Sequence, residues 1–244
     1  MKDNFSKQAA EYSKFRPQYP DELIDYLVSF VKSKSVALDI ATGNGQVAQQ
    51  LARFFETVYA IDISQNQLDN AIPSDNIIYK VAAAENTFFK NQEFDLITVA
   101  QAVHWFDFDL FYKEIYRILK PDGLFAVLGY GLFSTNEDSD KILRNFYYNI
   151  IGPYWDAERK YLDENYKTIP FPFDEIVTEP FVNHFTWSFE ELIGYLETWS
   201  ATQHYFSKNN KNPLDLIYDE LKISWQKNNK KVLFPLLLRI GKLK

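Results

Sequence analysis

The segment Asp39-Ile40-Ala41-Thr42-Gly43-Asn44-Gly45 has the residue types of a loop that meets a ligand. Glycines between a strand and a helix let backbone amides come close to a bound molecule. Asp62 lies 17 residues past Gly45, room for one helix and one strand. An acid at the end of that next strand can accept hydrogen bonds from ribose hydroxyls. Gly43-Asn44-Gly45-Gln46-Val47-Ala48 also fits the dinucleotide pattern G-x-G-x-x-G/A. Asp39 separates the two cofactors that compete here. A carboxylate beside the pyrophosphate of NAD would be repelled. The same carboxylate suits S-adenosylmethionine (SAM), which carries an ammonium and a sulfonium and no phosphate. The expectation is therefore SAM. An NAD-linked oxidoreductase and a non-catalytic SAM-binding protein remain as alternatives. A plain strand–helix loop whose acid caps the helix is the bland reading.

Other residues could complete such a site. His104 follows a predicted strand, on the edge where sheets of this kind bind ligands. It could orient a substrate or take a proton, or simply hold its loop. Trp105 could wall the reacting centre. Arg16, in the extended run Phe15-Arg16-Pro17, could pair with a ligand carboxylate through charge-assisted hydrogen bonds. Tyr12 would pack over the cofactor from the same segment. Tyr130, Trp199 and His204 are candidates for substrate contact, although core packing also explains them. His104, His184 and His204 share no ligand spacing, so no metal site is expected.

The elements that must position these residues follow from the hydrophobic period. Phe5, Ala9 and Tyr12 stand at helical spacing. A second helix is expected from Pro20-Asp21-Glu22, with a proline and acids in its first turn. Strands are expected at 35–40, 58–63, 77–81, 94–100 and 124–129. Helices are expected at 46–55, 65–71 and 108–119, and a turn at Lys120-Pro121-Asp122-Gly123. Short apolar strands alternating with helices predict βαβ units and a parallel sheet covered on both faces. Further on, residues 138–166, with an interruption at Gly152-Pro153, and residues 189–199 and 214–225 read as helical. Residues 180–187 and 231–239 read as an antiparallel pair completing the sheet. Pro235 argues for an edge position or a bulge in the last strand. The predicted architecture is a Rossmann-like, seven-stranded, mostly parallel α/β sheet with an antiparallel last strand. Residues 1–34 form a helical cap, 35–135 the cofactor-binding core, and 136–244 an inserted lid with the last strands, all in one structural domain.

Taken in order, the motifs resemble those of the class I SAM-dependent methyltransferases, well over about residues 5–130. Val36 to Gly45 resembles their first motif, departing at Ala41, where a glycine is usual. Tyr59-Ala60-Ile61-Asp62-Ile63-Ser64 resembles the second-strand motif. The resemblance implies Asp62 on the ribose and Ile63 against the adenine. Ala83-Ala84-Glu85-Asn86 resembles the segment beside the adenine, which implies cofactor contacts for Ala84 and Glu85. Phe94 to Ala102, with Gln101 near its end, resembles the fourth-strand motif, and Leu119 to Gly123 the turn before the fifth strand. A narrower resemblance is carried by Arg16-Pro17, Tyr19-Pro20, Ala100 to Asp107, Tyr195 to Ser200 and Phe234-Pro235. It points to a small-molecule branch that includes the trans-aconitate 3-methyltransferases of yeast type, and implies a carboxylate acceptor.

Composition narrows the function classes. The net charge is −7, and no dense basic run exists, which disfavours nucleic acid as a partner. With no cysteine, disulfides, thiolate metal sites and cysteine nucleophiles are excluded, including the cysteine route to C5-methylated pyrimidines. Gln101-Ala102-Val103-His104 replaces the Asn/Asp-Pro-Pro-aromatic run associated with base-amine methylation. Uncharged runs are too short to span a bilayer, and Met1 to Ser6 lacks an apolar signal core. A cytoplasmic enzyme is expected, monomer or homodimer, without membrane partners. Aromatics reach 17%, enough rings to fill a core and still line a pocket for a small organic acceptor.

Overall fold

The computed structural model describes residues 15–227 and 230–244. Phe5, Ala9 and Tyr12, with the helix expected from them, lie outside the described residues. The chain then forms helix α1 (Asp21–Ser29), strand β1 (Val36–Ile40), α2 (Gln46–Leu51), β2 (Thr57–Asp62), α3 (Gln65–Asp69) and β3 (Ile77–Val81). β4 (Phe94–Ala100), a 3-10 turn at Val103–Trp105, α4 (Phe108–Ile118) and β5 (Leu119–Tyr130) follow. Two helical insertions come next. The first holds α5 (Glu137–Asn145), a π-helical turn at Phe146–Ile150 and α6 (Arg159–Asp163); it leads to β6 (Asp174–Ile176) and β7 (Phe181–Thr186). The second holds α7 (Phe189–Glu197), α8 (Ser200–Asn209) and α9 (Tyr218–Gln226), and leads to β8 (Lys231–Lys242).

The sheet order is β3-β2-β1-β4-β5-β8, with β6 and β7 both on the far side of β8. β1 to β5 are parallel neighbours, and β8 runs antiparallel to β5, β6 and β7. The sheet is seven positions wide, as the sequence implies. The last position is shared end to end by β7, paired with 231–236, and the short β6, paired with 240–242. β6 was not expected, because three residues are too few to show a period.

Strand residues alternate between two buried faces. On β5, Leu124, Ala126 and Leu128 join one apolar cluster, while Phe125 and Val127 join the other. α1, α2, α5, α7, α8 and α9 cover the first face, while α6 buries Leu162 in the second. α4 covers the second, with Tyr166 and Phe173. This two-sided burial is why the strands read as continuous apolar runs.

Three expectations need correction. Pro235 is not on an edge, since β8 is paired on both sides. Its carbonyl accepts from the Gly131 amide at 3.0 Å, so its missing N–H falls on the same side, where β5 has just ended at Tyr130. Only a terminal ladder bond is forfeited. The expected turn at 120–123 is instead an irregularity inside β5: Phe94 pairs with Leu119 and Leu96 with Leu124, so the intervening residues loop out. The helix expected over 189–199 ends at Glu197, and α8 starts at Ser200.

Candidate active site

A cleft of about 970 Å³, including its solvent-open mouth, lies at the carboxyl ends of β1, β2, β4 and β5. It opens between β1 and β4, where the strand order reverses, the usual ligand position in open α/β sheets. Residues after β1 (Ala41, Thr42, Asn44), after β2 (Ile63, Ser64) and after β4 (Gln101, Trp105) form its floor. Arg16, Pro17 and Tyr19 close it from the N-terminal side, and Tyr130 from β5.

The loop geometry explains the glycines. Ala41, Gly43 and Gly45 have φ of +53°, +58° and +87°. Left-handed backbone here turns the chain sharply from β1 into α2. A side chain at Gly45 would put Cβ 2.4 Å from the Tyr79 hydroxyl oxygen, so glycine is required there. At Gly43 a Cβ would meet only Gln67 Oε1, at 3.8 Å. Ala41 accepts the left-handed conformation without being glycine, at about 1–2 kcal/mol. Gln101, φ +55°, does the same after β4, and its Nε2 donates to the Tyr130 carbonyl at 3.1 Å. Each of the two loops that floor the cleft thus carries one non-glycine residue in the left-handed region.

Both acids line the cleft. Asp39 is 1% exposed and accepts from the Thr42 hydroxyl at 2.5 Å and the Thr98 hydroxyl at 2.7 Å. Burial, assisted by the nearby Asp62 charge, pushes its carboxyl up to about 6, against the pull of those two hydroxyls. A cation in the cleft would favour its ionised form. Asp62 accepts from the Gly43 amide and from the Ser64 amide, both at 2.9 Å. It therefore straps the glycine loop to the end of β2.

A second recess, about 460 Å³ with its open part, adjoins the cleft and shares Arg16, Gln101 and Trp105 with it. His104, Trp155, Asp156, Arg159, Leu162, Trp199 and Ser200 complete its lining. His104 is buried, with Nδ1 3.2 Å from the Tyr166 hydroxyl. Burial first, and the Arg159 charge second, hold its imidazole down at about 3. It is neutral at physiological pH and poorly suited to take a proton in this state.

The structure thus brings Arg16, Asp39, Ala41, Asp62, Ile63, Gln101, Trp105 and Tyr130 into the cleft, with Gly43 and Gly45 in its loop, and His104 and Trp199 into the recess. Three predicted residues stand elsewhere. Ala84 is buried within the β3–β4 connection, and Glu85 accepts from the Asp107 amide at 3.3 Å, at the start of α4. His204 faces the Tyr154 carbonyl at 3.0 Å; it lies one helical turn beyond Ser200, about 6 Å along α8. Tyr12 lies outside the described residues. Sequence reasoning missed Tyr19, Gln67 and Ser64 in the cleft, and Trp155, Asp156, Arg159 and Ser200 in the recess. No local pattern announces the recess residues, since both insertions contribute to them. Among the described residues no group of His, Asp and Glu could hold a metal ion, and no helix is long and apolar enough to cross a membrane.

A family model for a methyltransferase domain matches residues 38–127. A Dictyostelium discoideum protein described as a methyltransferase is 36% identical over 223 residues, 90% of this chain and 85% of that protein. The chain belongs to the methyltransferase family. A solved Anaeromyxobacter dehalogenans structure, described as a type II methyltransferase, is 33% identical to this chain. It superposes with a TM-score of 0.85 over 93% of this chain and 98% of that one. Haemonchus contortus phosphoethanolamine N-methyltransferase 2, solved with SAM, is 19% identical and has a TM-score of 0.50, over 98% of this chain and 57% of its own; it shares the fold. The fold is that of the class I enzymes, and the cofactor of this methyltransferase is SAM.

The cleft fits that cofactor chemically. A buried carboxylate pushed up towards neutrality is best relieved by a cationic ligand. Arg16 is the only basic residue among the described residues lining the cleft, which suits a molecule with one carboxylate and no phosphates.

Proposed function

We propose that the protein transfers a methyl group from SAM to a carboxylate oxygen of a small organic acid, as in the branch that includes the yeast-type trans-aconitate 3-methyltransferases. The carrying observation is the composite site: an acid-lined cofactor cleft opening into a smaller recess with aromatic walls and a cation. When bound, SAM supplies a methyl already activated by its sulfonium. Asp39 would balance the cofactor's positive charge, Asp62 would accept from its ribose hydroxyls, and Ile63 would face its adenine. Arg16, whose Nη1 donates to the Tyr130 hydroxyl and Nη2 to the Thr198 carbonyl, would hold the cofactor carboxylate near both helical insertions.

The acceptor would sit in the recess, its oxygen at the Gln101–Trp105 junction. A carboxylate is already ionised at neutral pH, so no base is needed. That agrees with a His104 held neutral: it orients the acceptor rather than taking its proton. Proximity and exclusion of water are then the protein's main contributions. The reading takes the enzyme to be cytoplasmic, a monomer or homodimer without membrane partners, and the net charge of −7 argues against nucleic acid as a partner. The test is a mass-spectrometric screen of acids, amines and phenols for SAM-dependent methylation. Methyl esters are expected. Product from amines or phenols alone would refute the carboxylate reading.

A further inference from the structure

The recess contains a cation that the cofactor reading does not use. Arg159 opens α6, and its side chain is 18% exposed. Its Nε donates to the Tyr147 hydroxyl at 2.6 Å and lies 3.6 Å from Asp163 Oδ1. Its Cζ stands 4.5 Å from the Trp155 ring centroid and 5.2 Å from that of Tyr147. One nitrogen and two rings therefore fix the guanidinium. The two terminal nitrogens make no hydrogen bond among the described residues, and neither is a sealed-off buried atom. Arginines that serve as struts in this fold behave differently. Arg239 spends both terminal nitrogens on Glu175 and on the Tyr166 and Ile169 carbonyls. Arg117 spends both of its own on Glu114, Thr87, Phe89 and Asn91.

A fixed guanidinium with its terminal edge unengaged, in a recess, has the geometry of an anion receptor, because its planar fork matches a carboxylate in two parallel hydrogen bonds. Resting on the cofactor and acceptor sites proposed above, we propose that Arg159 is the specificity-determining residue of this methyltransferase: it anchors a carboxylate of the acceptor remote from the methylated atom. A carboxylate neutralised in such a pair is a poor nucleophile, so the reacting group is a different one, directed back to the junction with the cleft. The other charged groups of the recess are compatible with this. Arg16 stands at the junction, and Asp156, with Oδ2 3.9 Å from His204 Nδ1, is the one acid among the described residues lining it.

The experiment uses the full chain loaded with S-adenosylhomocysteine. Short aliphatic mono- and dicarboxylic acids, their primary amides and inorganic phosphate are titrated by calorimetry and thermal shift. At least one acid is expected to bind the wild type while its amide does not. Arg159→Gln should weaken that acid at least about tenfold, and Arg159→Lys should recover part of the loss. Both variants should keep the wild-type response to S-adenosylhomocysteine. The proposal is overturned if no acid binds the loaded wild type, if only amides or phosphate bind, or if acid affinity is the same in Arg159→Gln. Should Arg159→Gln fail to fold, Arg159→Lys decides: wild-type acid affinity overturns the proposal, and weaker affinity supports it. A wild type that does not respond to S-adenosylhomocysteine would instead refute the cofactor reading, and the proposal with it.

Discussion

Asp39 is the residue on which the choice of cofactor turns, first by charge and then by burial. Its carboxyl is pushed from 3.8 up to about 6, so the folded protein holds a proton that the unfolded chain has already shed. The carboxylate therefore costs nothing below its unfolded pKa, an increasing amount as pH rises through that window, and its full penalty above about 6. Each tenfold change in an ionisation constant is worth about 1.4 kcal/mol, so the full penalty is about 3 kcal/mol. Asp39→Asn keeps an acceptor for one threonine hydroxyl and removes the charge. Without ligand, the variant is expected to be more stable than the wild type by about 1–3 kcal/mol at neutral pH, and by little at pH 4, in paired denaturant titrations. SAM affinity should move the other way: lost in the variant, and in the wild type rising about tenfold between pH 5 and pH 7 as the carboxylate ionises. A variant that binds SAM like the wild type would sink the assignment of Asp39.

The β1–α2 loop shows how an element can need a residue type for reasons its neighbour does not share. Both glycines have positive φ, but only Gly45 has backbone pressed against a ring, that of Tyr79. Gly43→Ala should cost only the left-handed penalty, about 1–2 kcal/mol, and leave SAM binding measurable. Gly45→Ala adds a Cβ clash with Tyr79 and must displace the loop or the ring, so it should cost more and abolish the SAM-induced rise in Tm. Equal effects of the two substitutions would show that the close approach of Tyr79 does not matter. Thermal melts with and without SAM separate the cases. The lid helices carry a different lesson. α7 is well marked, with Ser188 and Glu191 forming a reciprocal capping box. The break at Thr198–Trp199 carries no proline or glycine, so the separate start of α8 is invisible to local pattern.

At the scale of the whole molecule, ligand and stability are linked through the cleft, because its walls come from β1, β2, β4, β5 and the segment before α1. SAM at about 100 times its dissociation constant should add about 2.7 kcal/mol. For a chain of this size that is a rise of about 5–11 °C in Tm, matched by S-adenosylhomocysteine and absent with NAD(H). A rise with NAD(H) alone would reverse the reading of Asp39.

The core was legible because its rules are local. Short apolar strands, helix starts and glycines at sharp turns are set by backbone sterics and by burial on two faces, and they appear within short windows of sequence. That sufficed to place Asp39, the glycine loop, Asp62 and Gln101 on one sheet edge, since parallel βαβ units deliver successive carboxyl ends to the same side. The sequence by itself therefore determined the sheet and the edge on which the cleft forms. Tertiary structure decided the rest. It put Pro235 inside the sheet at the point where a lost donor is cheap. It kept Ala84, Glu85 and His204 out of the cleft and recess. It set Arg159, Trp155 and Asp156 from one insertion beside Trp199 and Ser200 from the other. Long-range packing of two insertions against one edge carries no short-range period, so the recess exists only once the chain has folded.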